Sequence, residues 1–216
     1  ATRFTAITGV NTLFNGLLNT PGFDEVDFSN LKMTLGGGMA VQRAVAEKWK
    51  KVTGVTLVEA YGLTETSPAA CINPMNLHDY NGAIGLPVPS TDACLKDDDG
   101  NIVPLGEVGE LCIKGPQVMK GYWQRPEETA KVMDAEGWLH SGDVARWEDG
   151  PAGRELRIID RKKDIMITAG GKNITPSEIE NGTDAPSTRC QPPRPAIVVL
   201  QPERGRIRLE EAAWMG

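Results

Sequence analysis

Four short stretches carry side chains that could do chemistry together. In chain order they are Gly36-Gly37-Gly38-Met39, Tyr61-Gly62-Leu63-Thr64-Glu65-Thr66, Trp138-Leu139-His140-Ser141-Gly142-Asp143 and Asp160-Arg161-Lys162-Lys163-Asp164. A glycine turn lets backbone approach a ligand closely, and an aromatic ring offers a face for stacking. A hydroxyl beside a carboxylate suits phosphate and a hard cation. With a solitary Asp and an Arg, these are the groups needed to hold a nucleotide and a metal, and they point to chemistry on ATP. Singly, each has a plainer reading. Tyr61 alone would be a core or rim aromatic, Thr64-Glu65-Thr66 a helix start with an exposed acid, Asp143 a turn residue after Gly142, and Arg161-Lys162-Lys163 a solvated basic turn.

Other chemistries are poorly served. Cys71, Cys94, Cys112 and Cys190 are scattered with no C-x-x-C pair, so neither a zinc site nor a disulfide framework is indicated, and buried free thiols are expected. His78 and His140 are the only histidines and no Gly-x-Ser-x-Gly elbow occurs, which disfavours a nucleophilic hydrolase. The net charge of −6 over 216 residues gives no broad basic surface for nucleic acid, though backbone amides and a few cations can still bind a nucleotide. At 40% hydrophobic and 24% charged, the chain can bury a sizeable core. No signal peptide or membrane-length apolar run is evident, and a soluble, cytoplasmic protein is expected.

The elements that must position these groups fall into two textures. Residues 1–82 read as alternating α and β. A short helix is expected over 11–19, a strand over 31–35 running into the glycines, a helix over 41–52 with Val41, Ala44, Val45, Trp49 and Val52 on one face, and a buried strand over 55–60 ending at Tyr61. Ligands of open α/β sheets sit beyond the carboxyl ends of strands, where both the glycine run and Tyr61 fall. Residues 83–160 read as short β segments of a small barrel. Strands at 93–96 and 102–103 flank the turn Asp97-Asp98-Asp99-Gly100-Asn101, further strands lie at 109–114, 154–159 and 164–168, and Pro126 opens a short helix. A boundary is expected near 160–163.

The ordered motifs resemble the adenylate-forming (AMP-binding) superfamily of acyl-CoA synthetases, luciferases and peptide-synthetase adenylation domains, and most of all bacterial long-chain fatty acid–CoA ligases. The likeness covers roughly residues 3–181. It also includes the stretch Ile7-Thr8-Gly9-Val10-Asn11-Thr12-Leu13-Phe14-Asn15 and segments 82–89 and 109–123. The resemblance implies a partial adenylate-forming fold: an α/β subdomain, a small β-barrel, and from 161 to 181 a hinge and the start of an α+β lid. It implies two half-reactions, in which a carboxylate attacks the α-phosphate of ATP and a thiol of coenzyme A then displaces AMP. On this likeness Tyr61 and Gly62 meet adenine, Gly36, Gly37 and Gly38 border the base and acyl group, and Thr64 bonds the α-phosphate. Glu65 holds Mg²⁺, Asp143 takes both ribose hydroxyls, and Arg161 lies near ribose and phosphate. Lys163 is the hinge, and Gly170 and Gly171 approach the thiol. Thr175-Pro176 opens a lid helix.

The departures are as specific. The family's phosphate loop, the first half of its large domain and the late lid lysine have no counterpart in these residues. From Gly182 the texture changes: residues 182–216 hold five Pro and five Arg. A one-base shift there permits x-Leu-Met-x-x-Pro-x-Val-Ala, which resembles the family's helix, so a frame-shifted tail stands beside a genuine C-terminus. Two functional classes are therefore expected. One is a piece of an ATP-dependent fatty acid–CoA ligase, inactive in isolation, or of another acyl- or aryl-CoA ligase. The other is a truncated, non-catalytic chain that at most binds nucleotide. A fatty acid substrate would allow peripheral membrane contact.

Overall fold

The computed structural model describes residues 4–150 and 153–162, together with the strand backbone at 166–167, 173–174 and 207–208. Lys163, Gly170, Gly171, the expected lid helix and the rest of the 182–216 tail lie outside the described residues.

The first half forms a five-stranded mixed sheet. Strands β1 (Ala6–Gly9), β2 (Met33–Gly36) and β3 (Leu57–Gly62) are parallel and adjacent. Parallel neighbours require a crossover, and α1 (Asn11–Leu18) and α2 (Arg43–Thr53) lie in the two connections. The helices meet through Phe14 and Trp49, both fully buried, whose rings stand edge to face with centroids 4.8 Å apart. Truncating a ring so placed typically costs about 3–5 kcal/mol. Gly54 ends α2 in the left-handed conformation that lacks a penalty only for glycine. The buried stripe of α2 is Val45, Ala46, Trp49 and Thr53. Ala44, expected inward, faces solvent, because Val41 is buried ahead of the helix rather than on its first turn.

β4 (Ala69–Ile72) and β5 (Leu86–Pro87) continue the sheet antiparallel beyond β3. The second sheet is antiparallel. It comprises β6 (Asp92–Lys96), β7 (Val108–Lys114), β8 (Leu139–Gly150) and β9 (Gly153–Arg161) in sequence order. A short ladder joins β10 (Met166–Ile167) to β11 (Asn173–Ile174), and β12 (Ile207–Arg208) pairs with β6. The hairpin at 97–101 forms, but its far arm is a single bridge between Lys96 and Ile102. The long partner of β6 is β7. Helix α3 (Pro126–Val132) begins on proline, with Glu127 and Glu128 in its first turn and Lys131 in its last, as the helix dipole favours. Among the described residues no helix is long and apolar enough to cross a membrane.

One core cluster spans both sheets: Ala70, Cys71 and Ile84 pack with Leu95, Leu111, Ile113, Trp147 and Leu156. The sheets are also stitched by backbone. Leu156 N–H donates to Gly85 O at 3.1 Å, and Ile84 N–H donates to Leu156 O at 2.8 Å. Gly85 has φ +84°, and a β-carbon there would stand 2.3 Å from the backbone N of Asn73. Rigid backbone cannot yield as a side chain can. Gly85→Ala is expected to destabilise the fold by about 3 kcal/mol, read as a lower midpoint in urea unfolding. A midpoint unchanged from that of the original chain would show that the seam tolerates a side chain.

Candidate nucleotide site

Strand β3 ends in a bulge between Tyr61 and Gly62, where its pairing with β4 shifts. A β-carbon on Gly62 would lie 1.7 Å from Pro68 O, so only glycine permits the returning chain to pass. The following 3₁₀ turn, Thr64–Thr66, is held by Thr66. The Thr66 hydroxyl accepts from Leu63 N–H at 2.8 Å and donates to Leu63 O at 3.0 Å. Thr66 is fully buried, whereas Thr64 is exposed. Of the two hydroxyls in this motif, the second builds the turn and the first faces solvent.

Tyr61 packs against the core that spans both sheets and donates its hydroxyl to Asp143 Oδ2 at 2.6 Å. Asp143 lies on β8 and is buried, and Arg161 Nε stands 3.5 Å from its other oxygen. Burial, and then the Asp143 carboxylate, push the Tyr61 phenol far above its ordinary value, so Tyr61 is a neutral donor. Asp143 Oδ2 is reached from the first sheet and Oδ1 from β9. The carboxylate is thereby held in one orientation, with acceptor capacity left for further donors.

A pocket of about 590 Å³ opens beside it, lined among others by Glu65, Tyr122, His140, Gly142, Asp143 and Arg161. Glu65 Oε1 accepts from the Tyr122 hydroxyl at 2.7 Å, and Glu65 O accepts from Met119 N–H at 2.8 Å. The Glu65 hydrogen bond raises the Tyr122 phenol, with burial adding to it. No group of three or more His, Cys, Asp or Glu that could hold a metal exists among the described residues. Glu65 alone fits a magnesium ion whose other ligands are phosphate oxygens and water, the usual arrangement for that cation.

The structure thus gathers Glu65, Gly142, Asp143 and Arg161 around the pocket, and ties Tyr61 of the first sheet to it through Asp143. Tyr61, Gly62 and Thr64 do not themselves line the pocket, nor do Gly36, Gly37 and Gly38. The glycine run sits at the end of β2, with Gly36 in register with Glu59 and Gly37 N–H donating to Gly9 O at 3.0 Å. Lys163, Gly170 and Gly171 lie outside the described residues. Sequence reasoning missed Tyr122, whose Gly-Tyr-Trp setting was part of the resemblance but carried no assigned role. It also missed Glu110 and Lys162, whose charges meet only in the folded chain.

With the sheet order, the strand-end position and the pocket in place, the fold is of the α/β class with a second, antiparallel sheet. The chain belongs to the AMP-binding enzyme family, which matches residues 1–123. It is 60% identical over 178 residues to a long-chain-fatty-acid–CoA ligase of Yersinia pestis, covering 82% of this chain and 31% of that one. It is 45% identical over 177 residues to the Bacillus subtilis long-chain-fatty-acid–CoA ligase, with the same two coverages. In structure it resembles ATP-bound MatB from Rhodopseudomonas palustris, with TM-score 0.73, 32% identity, and 83% of this chain and 35% of that one covered. The chain therefore spans about a third of the length of the relatives it matches.

Next to the site, Glu59 is buried on β3 and accepts from Val41 N–H at 3.0 Å, anchoring the chain just after the glycine run. Burial pushes its carboxyl up to about 7, against the Val41 hydrogen bond and the Arg157 charge. The folded chain therefore holds this proton more tightly than the unfolded chain. The resulting stability is fully present below about pH 4.5 and is lost as pH rises through about 7. Urea midpoints of the original chain and Glu59→Gln at about pH 5 and about pH 8 test this. Relative to the variant, the original chain is expected to lose about 3 kcal/mol at most over that range. Parallel pH profiles would refute it.

Proposed function

We propose that this chain is the nucleotide-holding portion of an ATP-dependent long-chain fatty acid–CoA ligase. The observation that carries the reading is the convergence of Glu65, Asp143 and Arg161 around one pocket, with Tyr61 of the other sheet hydrogen-bonded to Asp143 at its edge. In this reading adenine stacks on Tyr61, whose far side is fixed by the core. The Asp143 carboxylate, already oriented by Tyr61 and Arg161, accepts both ribose hydroxyls. The Thr64 hydroxyl, free of the turn it begins, donates to the α-phosphate. Glu65 holds Mg²⁺, oriented by Tyr122, and the ion when bound offsets phosphate charge during attack by the fatty acid carboxylate. Coenzyme A is the second acceptor, with Gly170 and Gly171 near its thiol and Lys163 as the pivot of the lid. Gly36, Gly37, Gly38 and Gly62 border the base and the acyl group. The names of the relatives at 60% and 45% identity support a long-chain fatty acid over other carboxylates. We place the protein in the cytoplasm, with at most peripheral membrane contact.

Isothermal titration of the chain with ATP and Mg²⁺ tests the reading. Binding is expected, with affinity lowered about tenfold or more in Asp143→Ala, the usual cost of a lost hydrogen bond to a charged group. Heats indistinguishable from dilution would overturn the nucleotide site. In the same preparation, pyrophosphate release with a long-chain fatty acid is expected to stay at background. Turnover there would instead show that these 216 residues suffice for the adenylation step.

A further inference from the structure

The Ser141-Gly142-Asp143 turn has lost half of its sheet. Along β7 and β8, Glu110 pairs with Val144 and Cys112 with His140. Two steps along β7 thus correspond to four along β8, and Ser141, Gly142 and Asp143 stand out of the ladder on that side. A turn so freed is expected to wander, yet it carries the carboxylate to which the proposed ribose site belongs. The compensation comes from a side chain. Glu110 is buried at 9% exposure, and its Oε1 accepts from Gly142 N–H at 3.1 Å, where a β7 carbonyl would otherwise serve.

The second oxygen of Glu110 faces the other edge. Oε2 lies 3.0 Å from Lys162 Nζ and 3.2 Å from His140 Nδ1. Lys162 Nζ also reaches Asp98 at 2.9 Å, and Lys162 N–H donates to Gly142 O at 2.8 Å. Gly142 is therefore gripped at both its N–H and its carbonyl. The gripping residues, Glu110 and Lys162, are bonded to each other. Burial opposes the Glu110 charge, but Lys162 and His140 outweigh it and hold the carboxyl below its ordinary value, so the carboxylate is the resident form.

We propose that Glu110, braced by Lys162, is a positioning residue that sets the Asp143 turn for ribose. It touches no ligand itself and acts through Gly142. The inference rests on the ribose role given to Asp143 above, and its test separates the two. Affinities for AMP and for 2′,3′-dideoxy-AMP are measured by titration on the 216-residue chain and on Glu110→Ala, Glu110→Gln and Lys162→Met.

The unsubstituted chain is expected to prefer AMP. Glu110→Ala should weaken AMP about tenfold while leaving the dideoxy nucleotide within about twofold, so that the preference collapses. A merely structural role would weaken both ligands alike. Glu110→Gln, whose amide oxygen can still accept from Gly142, should keep most of the preference, and losing it as fully as Glu110→Ala would refute the Gly142 contact as the cause. Should Glu110→Ala fail to fold, Lys162→Met carries the comparison with an expected threefold fall in the ratio, and an unchanged ratio overturns the brace. Equal affinity for both nucleotides in the unsubstituted chain would overturn the ribose reading and this inference with it.

Discussion

The seam between the two sheets is the constraint on which the rest depends. Its backbone exchange between Gly85 and Leu156 has no freedom, because Gly85 is pressed against Asn73. Polar side chains then close around it. Asn81 Nδ2 donates to Glu155 at 2.8 Å, and Arg157 donates to the carbonyls of Gly82 and Asn81 at 2.9 Å each. With the sheets fixed, Tyr61 of one meets Asp143 of the other. Residues 82 positions apart then act as one surface, which neither sheet could present alone. A slip of one residue at the seam would turn alternate side chains to the wrong face and dissolve the site without unfolding either sheet.

Charge is managed by pairing rather than by exposure. Lys96 is buried yet meets Asp134 at 2.6 Å and lies over the Trp138 ring, 5.6 Å from its centroid. A buried pair is poor evidence for added stability, but losing one partner is costly, so such residues fix the register of β6 against the α3–β8 connection. The thiols are treated in the opposite way. Cys71, Cys94 and Cys112 are buried thiols outside any disulfide, and burial alone pushes the Cys71 thiol up to about 12. They serve as small apolar fillers, and reactivity at neutral pH is suppressed.

What the sequence made legible was whatever is repeated locally. Helices α1 to α3 were readable from periodicity, glycine and proline, and strands β2, β3, β6 and β7 from short apolar runs beside turn residues. β4 was not, since Ala69-Ala70-Cys71-Ile72 is small, unalternating and only four residues long. β8 was not, since Gly142, Asp143, Glu148 and Asp149 interrupt its apolar alternation, and their charges find partners largely across the fold, Asp143 in Tyr61 and Arg161 and Glu148 in Arg157 of β9. At the candidate site, motif order singles out Tyr61, Glu65, Asp143 and Arg161. Their mutual contacts were not readable, because Tyr61 and Asp143 meet through the seam rather than through sequence. Glu110 is one acid in an alternating strand, and nothing near it in sequence marks the out-of-ladder turn it supports.

Trp123 follows directly on the tyrosine that binds Glu65, yet its indole is 87% exposed, while Trp49, Trp138 and Trp147 are at 5% or less. The described indoles therefore divide into three sealed from solvent and one immersed in it, adjacent to the pocket. A small aqueous quencher would darken the immersed one and spare the others. With Trp214, which lies outside the described residues, replaced by Phe, emission accessible to quencher reports on the mouth of the site with no label attached.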